Sequence, residues 1–389
     1  MVIRFKDIDP AFVAQISQLG VKACFQCAAC TSSCPVALTG PLRIRKLMRQ
    51  AQFGLRDRIL QSDVLWTCTT CNECFERCPK AVDIPKVILT LRNLAVERGL
   101  APKAVMQAES SMMNLKNLFG ANPSIREFRL KKLAKSLPQG VQVKVNEKAD
   151  TVYWIGCIAS YFGRVQEVPH AIASILNYVG EDWTLLNEEW CCGRPLALSG
   201  VTGDYAKIAE HNVRTIEALG AKRMVTGCPG CMWAFKNDYP QILNRQLNFE
   251  VMHFTQLLDQ YVGRGRLASK KFVGRVVYHD PCELGRLGGI FEEPRNILEN
   301  FVTRLVESKE TLRNSRCCGA GGFVRGVNAS LAESLAFARL KTLLETEAEL
   351  IVTACPGCEQ NFKDAALKQK VGVPVLDVAE LVARQLGLV

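Results

Sequence analysis

Arg223-Met-Val-Thr-Gly-Cys-Pro-Gly-Cys231 and Leu350-Ile-Val-Thr-Ala-Cys-Pro-Gly-Cys358 are one pattern written twice, 127 residues apart. Each reads as a short apolar strand that runs straight into a tight loop offering two thiols. Working outward, Cys191-Cys192-Gly193 precedes the first copy and Cys317-Cys318-Gly319 the second, at an offset of 126, and Cys157 answers Cys282 at 125. A register held to within two residues over about 75 positions marks an internal duplication. The runs Thr151–Cys157 and Gly274–His279 predict an opening strand for each copy. Helical patterns follow over Tyr205–Leu219 and Ser330–Leu344. Strand–helix–strand order predicts a mostly parallel sheet with helices on its faces, and such sheets build sites beyond the carboxyl ends of their strands. Cys157, Cys228 and Cys355 fall at or just past such ends, and Cys282 follows its strand within a few residues.

The amino-terminal part obeys another grammar. Cys24-x2-Cys27-x2-Cys30-x3-Cys34-Pro35 recurs as Cys68-x2-Cys71-x2-Cys74-x3-Cys78-Pro79. This is the bacterial ferredoxin spacing, in which three thiolates wrap one four-iron cube and the fourth completes the other cluster. The expected sets are Cys24, Cys27, Cys30 with Cys78, and Cys68, Cys71, Cys74 with Cys34. The proline after each run is expected to stop the chain from continuing as helix. Structural zinc is the competing reading, but zinc usually takes two Cys pairs parted by a longer loop. Apolar positions at Leu42, Ile44, Leu47 and Met48, and at Val87, Ile88, Leu91, Leu94 and Ala95, predict short helices around the loops. Residues 101–149 are Lys-rich and broken at Pro123 and Pro138, and predict a linker with one or two surface helices, in which Met106, Met112 and Met113 are packing residues.

The chain has 389 residues, 48% hydrophobic and 22% charged, which excludes a disordered or fibrous protein. No stretch approaches the length of a membrane-spanning apolar helix, and Met1-Val2-Ile3-Arg4-Phe5-Lys6-Asp7 lacks the features of a signal peptide. The 18 cysteines are then expected in a reducing cytosol, where thiolates more often hold metal than pair with one another. Residues 1–150 carry 23 Lys and Arg against 12 Asp and Glu, which is the whole formal excess of +11. That excess suits either docking to an acidic partner or compensation of a buried negative cofactor. Nucleic acid is not expected, because no aromatic-interleaved basic stripe accompanies the charge.

Each duplicated unit offers five thiols: Cys157, Cys191, Cys192, Cys228 and Cys231 in the first, and Cys282, Cys317, Cys318, Cys355 and Cys358 in the second. Adjacent cysteines can serve two neighbouring irons of one cluster, and Gly193 and Gly319 let the backbone turn there. Five thiolates exceed the four irons of a cube, so either one cysteine is a redox-active neighbour or the cluster is not a cube. Zinc is again the competing reading.

Together, Phe25-Gln-Cys-Ala-Ala-Cys-Thr-Ser-Ser-Cys-Pro35, Trp66-Thr-Cys-Thr-Thr-Cys-Asn-Glu-Cys-Phe-Glu-Arg-Cys-Pro79 and the duplicated part resemble the heterodisulfide reductase family. The first two look like its ferredoxin-type electron-transfer component, and the rest looks like its catalytic component with two so-called CCG repeats. Both on one chain, in that order, resemble the family's fused D-type chain. The resemblance implies a noncubane four-iron cluster held by all five cysteines of each repeat. It also implies reduction of a disulfide of two thiol coenzymes (coenzyme M and coenzyme B in methanogens), cleaved between the two noncubane clusters with electrons arriving through the two cubane ones. The implied electron donor is a membrane b-type cytochrome or a flavin-containing subunit, docked on the basic amino-terminal part at the cytoplasmic membrane face. The iron–sulfur subunits of glycolate oxidase and anaerobic glycerol-3-phosphate dehydrogenase share the layout, so a pure electron-transfer subunit feeding quinone is the alternative.

The expected architecture is α+β to α/β: a helical two-[4Fe-4S] ferredoxin-like domain over 1–100, a helical linker over 101–149, and CCG α/β repeats over 150–270 and 271–389. In His279-Asp280-Pro281-Cys282 the histidine reads as a proton donor or, more often, a structural neighbour of the ligands. His170, His211 and His253 read as ordinary. Gly285-Arg-Leu-Gly-Gly289 and Gly319-Ala-Gly-Gly322 lack dinucleotide-site grammar and suit close backbone approach to a cluster or substrate. Arg194, Arg286, Arg316 and Arg325 either balance cluster charge or grip an anionic substrate.

Overall fold

The strand Leu350-Ile-Val-Thr353 is buried along its whole length, as is Thr151-Val-Tyr-Trp154, and such unbroken burial is what a parallel strand covered on both faces shows. The computed structural model describes residues 3–137, 143–267 and 270–389. Its strands are β1 (Lys144–Val145), β2 (Thr151–Trp154), β3 (Trp183–Leu185), β4 (Arg223–Thr226), β5 (Glu250–His253), β6 (Phe272–His279), β7 (Val302–Val306), β8 (Leu350–Thr353) and β9 (Val375–Asp377). They form two parallel sheets, ordered β1-β3-β2-β4-β5 and β7-β6-β8-β9. Without β1 the two orders are the same, so the duplication seen in the cysteines is also one of topology.

The repeats pack reciprocally. Helix Glu167–Tyr178, which follows the opening strand of the first repeat, packs on Val378–Gln385, which closes the second. Helix Phe254–Gly263, which closes the first repeat, packs on Glu292–Phe301, which follows the opening strand of the second. A two-fold relation between the repeats requires this exchange. One continuous core holds Val152, Val225, Val276 and Val352 from both sheets together with Ile172, Leu257, Leu298 and Leu381 from those helices.

The regular structure described before residue 138 is helical. Ile44–Gln52 buries Ile44, Leu47, Met48 and Ala51, and Ile84–Glu97 buries Val87, Ile88, Leu91 and Ala95. Pro79 follows a chain that has left its helix, as expected. Pro35 does more than stop a helix: it opens a new one, Pro35–Thr39, at whose first position its missing N–H costs nothing.

The stretch read as a linker is more firmly attached than its composition suggested. Helix Lys103–Leu115 buries Val105, Ala108 and Met112. In helix Ser124–Ser136, Arg126 is buried and forks onto Glu189, also bonding Ser160. β1 then joins the first sheet as its edge strand. A Lys-rich surface hid one Arg whose carboxylate lies 63 positions away, and local pattern cannot show such a pair. Pro138 lies outside the described residues.

Candidate metal centres

Each ferredoxin-type loop bends through two non-glycine residues with positive φ: Gln26 (66°) and Ala28 (72°) in one, Thr70 (52°) and Asn72 (67°) in the other. A β-branched residue such as Thr70 is strained there, and that strain is sustained where three cysteines must converge. Cys24, Cys27, Cys30 and Cys78 line one small recess. Cys27 is exposed, and burial pushes the Cys30 thiol up. Cys34 instead sits with Cys68, Cys71 and Cys74 in the interior, and burial pushes Cys34 and Cys74 up and Cys68 to about 11. The chain thus brings Cys78 to the cysteines of the first loop and Cys34 to those of the second.

The carboxyl ends of the two sheets carry the other ten. Gly156 turns the chain after β2 so that Cys157 opens a short helix. A Cβ on Gly156 would lie 3.2 Å from Cys231 Sγ. Glu189 accepts from the Ile155 and Gly156 amides and pins this turn. Cys228 and Cys355 cap the helices opened by Pro229 and Pro356. Gly193 (φ 74°) backs onto the Tyr205 ring and Gly319 (φ 90°) onto Ala332 O, so neither admits a side chain beside its cysteine pair. The thiols touch in the order Cys157, Cys191, Cys192, Cys231, Cys228 in the first repeat and Cys282, Cys317, Cys318, Cys358, Cys355 in the second. Sγ separations include 3.6 Å for Cys157–Cys191, 4.0 Å for Cys282–Cys317 and 3.1 Å for Cys318–Cys358. Thiol–thiol hydrogen bonds and burial push Cys191, Cys192, Cys231, Cys282 and Cys358 well up, while bonds from Cys317 and Cys358 pull Cys318 down to about 5. So crowded a set of sulfurs sheds its protons together only against a bound cation.

Between the repeats lies a cavity of about 350 Å³, walled by Cys157, Cys192, Cys228 and Cys231 from one side and Cys282, Cys318, Cys355 and Cys358 from the other. Cys191 and Cys317 lie behind it. The Cys317 thiol lies beside Cys71 and pushes it up, so the interior ferredoxin-type set meets the second repeat.

Comparison with known proteins agrees with this geometry. The 4Fe-4S dicluster domain family matches residues 20–82, and the cysteine-rich CCG domain family matches 151–236 and 276–363. The D subunit of the dihydromethanophenazine:CoB--CoM heterodisulfide reductase of Methanosarcina barkeri is 32% identical over 100% of this chain and 99% of its own length. This chain belongs to the family of heterodisulfide reductase D subunits. An EtfAB:quinone oxidoreductase of Syntrophomonas wolfei is 30% identical over 94% of this chain but only 53% of its own. A hypothetical protein from Helicobacter pylori of known crystal structure shares the fold, with a TM-score of 0.53 at 13% identity over 98% of this chain and 73% of that one. The heterodisulfide reductase D-like chain is thus an iron–sulfur oxidoreductase subunit with a ferredoxin-like dicluster domain and two CCG repeats. Among its described residues, no helix is long and apolar enough to cross a membrane.

One residue that sequence reasoning missed bears on whether the cysteines fit iron–sulfur clusters. Arg92 is fully buried, and among the described residues it meets no carboxylate. Its five hydrogen bonds go to the carbonyls of Leu65, Cys68, Leu198 and Gly322. Burial disfavours its charge, and the ionisable group that acts against this is the Cys68 thiol, so a buried anionic cluster is the counter-charge this cation lacks. The signal was present: one Arg on the apolar face of Ile84–Glu97. Arg286 is likewise buried, and it joins Glu73 and Cys71 O to Ser315 O.

The four arginines flanking the CCG cysteines all have carboxylate partners. Arg194 pairs with Asp238 and, across the cavity, Glu283; Arg286 pairs with Glu73, Arg316 with Glu310, and Arg325 with Asp364. Each therefore has a carboxylate partner, although Glu310 also serves Arg339 and Asp364 also serves Arg164. His211 stacks on Trp190 and His253 caps a helix, as ordinary histidines do. Gly321 and Gly322 press against the Thr69 and Cys68 backbone, so that glycine run serves close approach to a cysteine loop.

Proposed function

We propose that this chain is the disulfide-reducing subunit of a heterodisulfide reductase-type enzyme. The observation that carries this reading is the single cavity faced by four cysteines from each repeat. Cys24, Cys27, Cys30 and Cys78 would hold an outer cubane cluster, and Cys34, Cys68, Cys71 and Cys74 an inner one. The two five-cysteine sets would hold one noncubane cluster each. Once bound, the two noncubane clusters supply one electron from each side, which matches the two-electron demand of a disulfide.

The chain's own residues do the rest. Leu118, Phe119, Phe162, Leu198 and Phe323 line the cavity and exclude water. The Arg194–Glu283 pair ties one repeat to the other across it. The Cys71–Cys317 contact brings the inner cubane site against the second repeat.

The same apolar lining, with its arginines already paired, favours a second reading: a conduit that passes electrons to an uncharged quinone, as the name of the Syntrophomonas relative suggests. Anaerobic spectroscopy separates the two. A paramagnetic signal that appears only when substrate thiol is added to the oxidised protein is expected for the reductase. Its absence, with quinone reduction intact, would leave the conduit. Iron should be about sixteen per chain with little zinc.

Electrons are expected to enter at the exposed end. A groove beside Cys24 and Phe25 is lined by Arg43, Arg45, Lys46 and Arg49, none of them in an ion pair among the described residues, and Phe25 is 59% exposed. The groove suits an acidic face of a redox partner. Reduction by the anionic hydroquinone of flavin mononucleotide should slow several-fold from about 0.01 to about 1 M salt, as screening shortens from roughly 30 to 3 Å. Lumiflavin hydroquinone, which lacks the phosphate and carries one negative charge at most, should show a much shallower slope, and Arg45→Glu with Lys46→Glu should flatten or invert the slope for flavin mononucleotide. Equal slopes for the two flavins would overturn the assignment.

A further inference from the structure

Strand β6 ends on His279, whose side chain is fully buried. Arg339 Nε donates to its Nδ1 at 3.3 Å, and a guanidinium can only donate. Nδ1 is therefore the acceptor, and the ring proton sits on Nε2. Among the described residues Nε2 meets no partner, and an unpaired buried donor costs about 1–3 kcal/mol. The Phe362 ring lies edge-on to the imidazole at 4.8 Å. A ring nitrogen lies within 4.8 Å of both Cys318 Sγ and Cys358 Sγ. These two sulfurs are the candidate acceptors for the ring N–H.

That arrangement decides between ligand and donor. A histidine that binds metal normally gives its other N–H to a carboxylate or carbonyl. Here the other nitrogen faces a cation, so coordination through Nε2 would set a protonated Nδ1 against Arg339, and Arg339 already occupies Nδ1. The first repeat points the same way. At the matching end of β2, in the same register against its neighbour (Trp154 opposite Thr226, His279 opposite Thr353), stands Trp154. Its indole N–H cannot bind metal at all, and among the described residues it too is buried without a partner.

We propose that His279 is a positioning residue that donates Nε2–H to the Cys318 and Cys358 sulfurs and so raises the reduction potential of the second repeat's cluster. The proposal rests on the reading that those cysteines hold a cluster. A donor aimed at a ligand sulfur favours the reduced state, which carries one more negative charge. The second repeat is also the one that touches the inner ferredoxin-type cysteines, so the bond would set how readily electrons leave the dicluster domain.

The test is a redox titration of the intact chain followed by electron paramagnetic resonance. His279→Phe should cut the equilibrium constant for one-electron reduction of a single cluster about tenfold, or about 59 mV, with iron content unchanged. His279→Gln, which keeps an N–H, should recover part of the shift. The unaltered protein labelled with ¹⁵N-histidine should show a weak nitrogen coupling in pulsed spectra of the reduced state. An unmoved potential with full iron, a loss of about four irons, or a coupling of directly bonded strength would each overturn the donor role. Iron missing from both repeats of the unaltered chain would instead sink the cluster reading, and the proposal with it.

Discussion

Cys192→Ala should lower disulfide turnover by about two orders of magnitude or more while leaving both ferredoxin-type sites reducible. Changes one shell beyond a metal already cost about 10–100-fold, and a ligand should cost at least that. Cys192 is buried between Cys191 and Cys231 and also faces the cavity, so its loss removes a central member of the first set. Cys318→Ala is the matched change in the second repeat. If the two repeats attack one bond from opposite sides, both variants should fail alike, each short of about four of about sixteen irons. A conduit predicts asymmetry, because the second repeat touches Cys71 and the first does not do so through Cys192. Disulfide turnover that survives Cys192→Ala would therefore remove the catalytic reading and leave the relay.

Periodicity and spacing carried much of this molecule. β4 and β8 begin and end where the repeated apolar runs do, because a strand buried on both faces leaves an uninterrupted signature. The cysteine groups were visible because thiols in x2 steps can converge only by bending one loop, a local event. Features made by contact between distant segments were not visible. The reciprocal helix packing that turns the two carboxyl edges toward one cavity depends on surfaces far apart along the chain. The flanking arginines left two roles open, and only the positions of Asp238, Glu283, Glu73, Glu310 and Asp364 show that each has a carboxylate partner within the chain. His279 could be placed beside the ligands from its position before Cys282. Its donor state became readable only once Arg339, 60 residues on, was found against Nδ1.

Arg92→Leu should uncouple the dicluster domain from the repeats. The Arg92 guanidinium reaches Leu65 O and Cys68 O in the ferredoxin-like part, Leu198 O in the first repeat at 2.7 Å and Gly322 O in the second at 2.9 Å. Leucine fills much of the space but strands four buried carbonyls. At about 1 kcal/mol or more for each, that is about 4 kcal/mol, or a fall of about 5 °C in the unfolding midpoint of a chain this long. Arg92→Lys keeps the charge but not the fork, so it should recover little. The loss falls where Gly322 presses on the Cys68–Thr69 backbone and Cys71 meets Cys317, so the damage should be kinetic as well. Rapid-mixing reduction should still fill the outer ferredoxin-type site at the parent rate, while electrons reach the CCG repeats at least tenfold more slowly. Parent-rate delivery to the repeats in a folded, iron-replete Arg92→Leu chain would show that this three-way clamp is only structural and that electrons cross elsewhere.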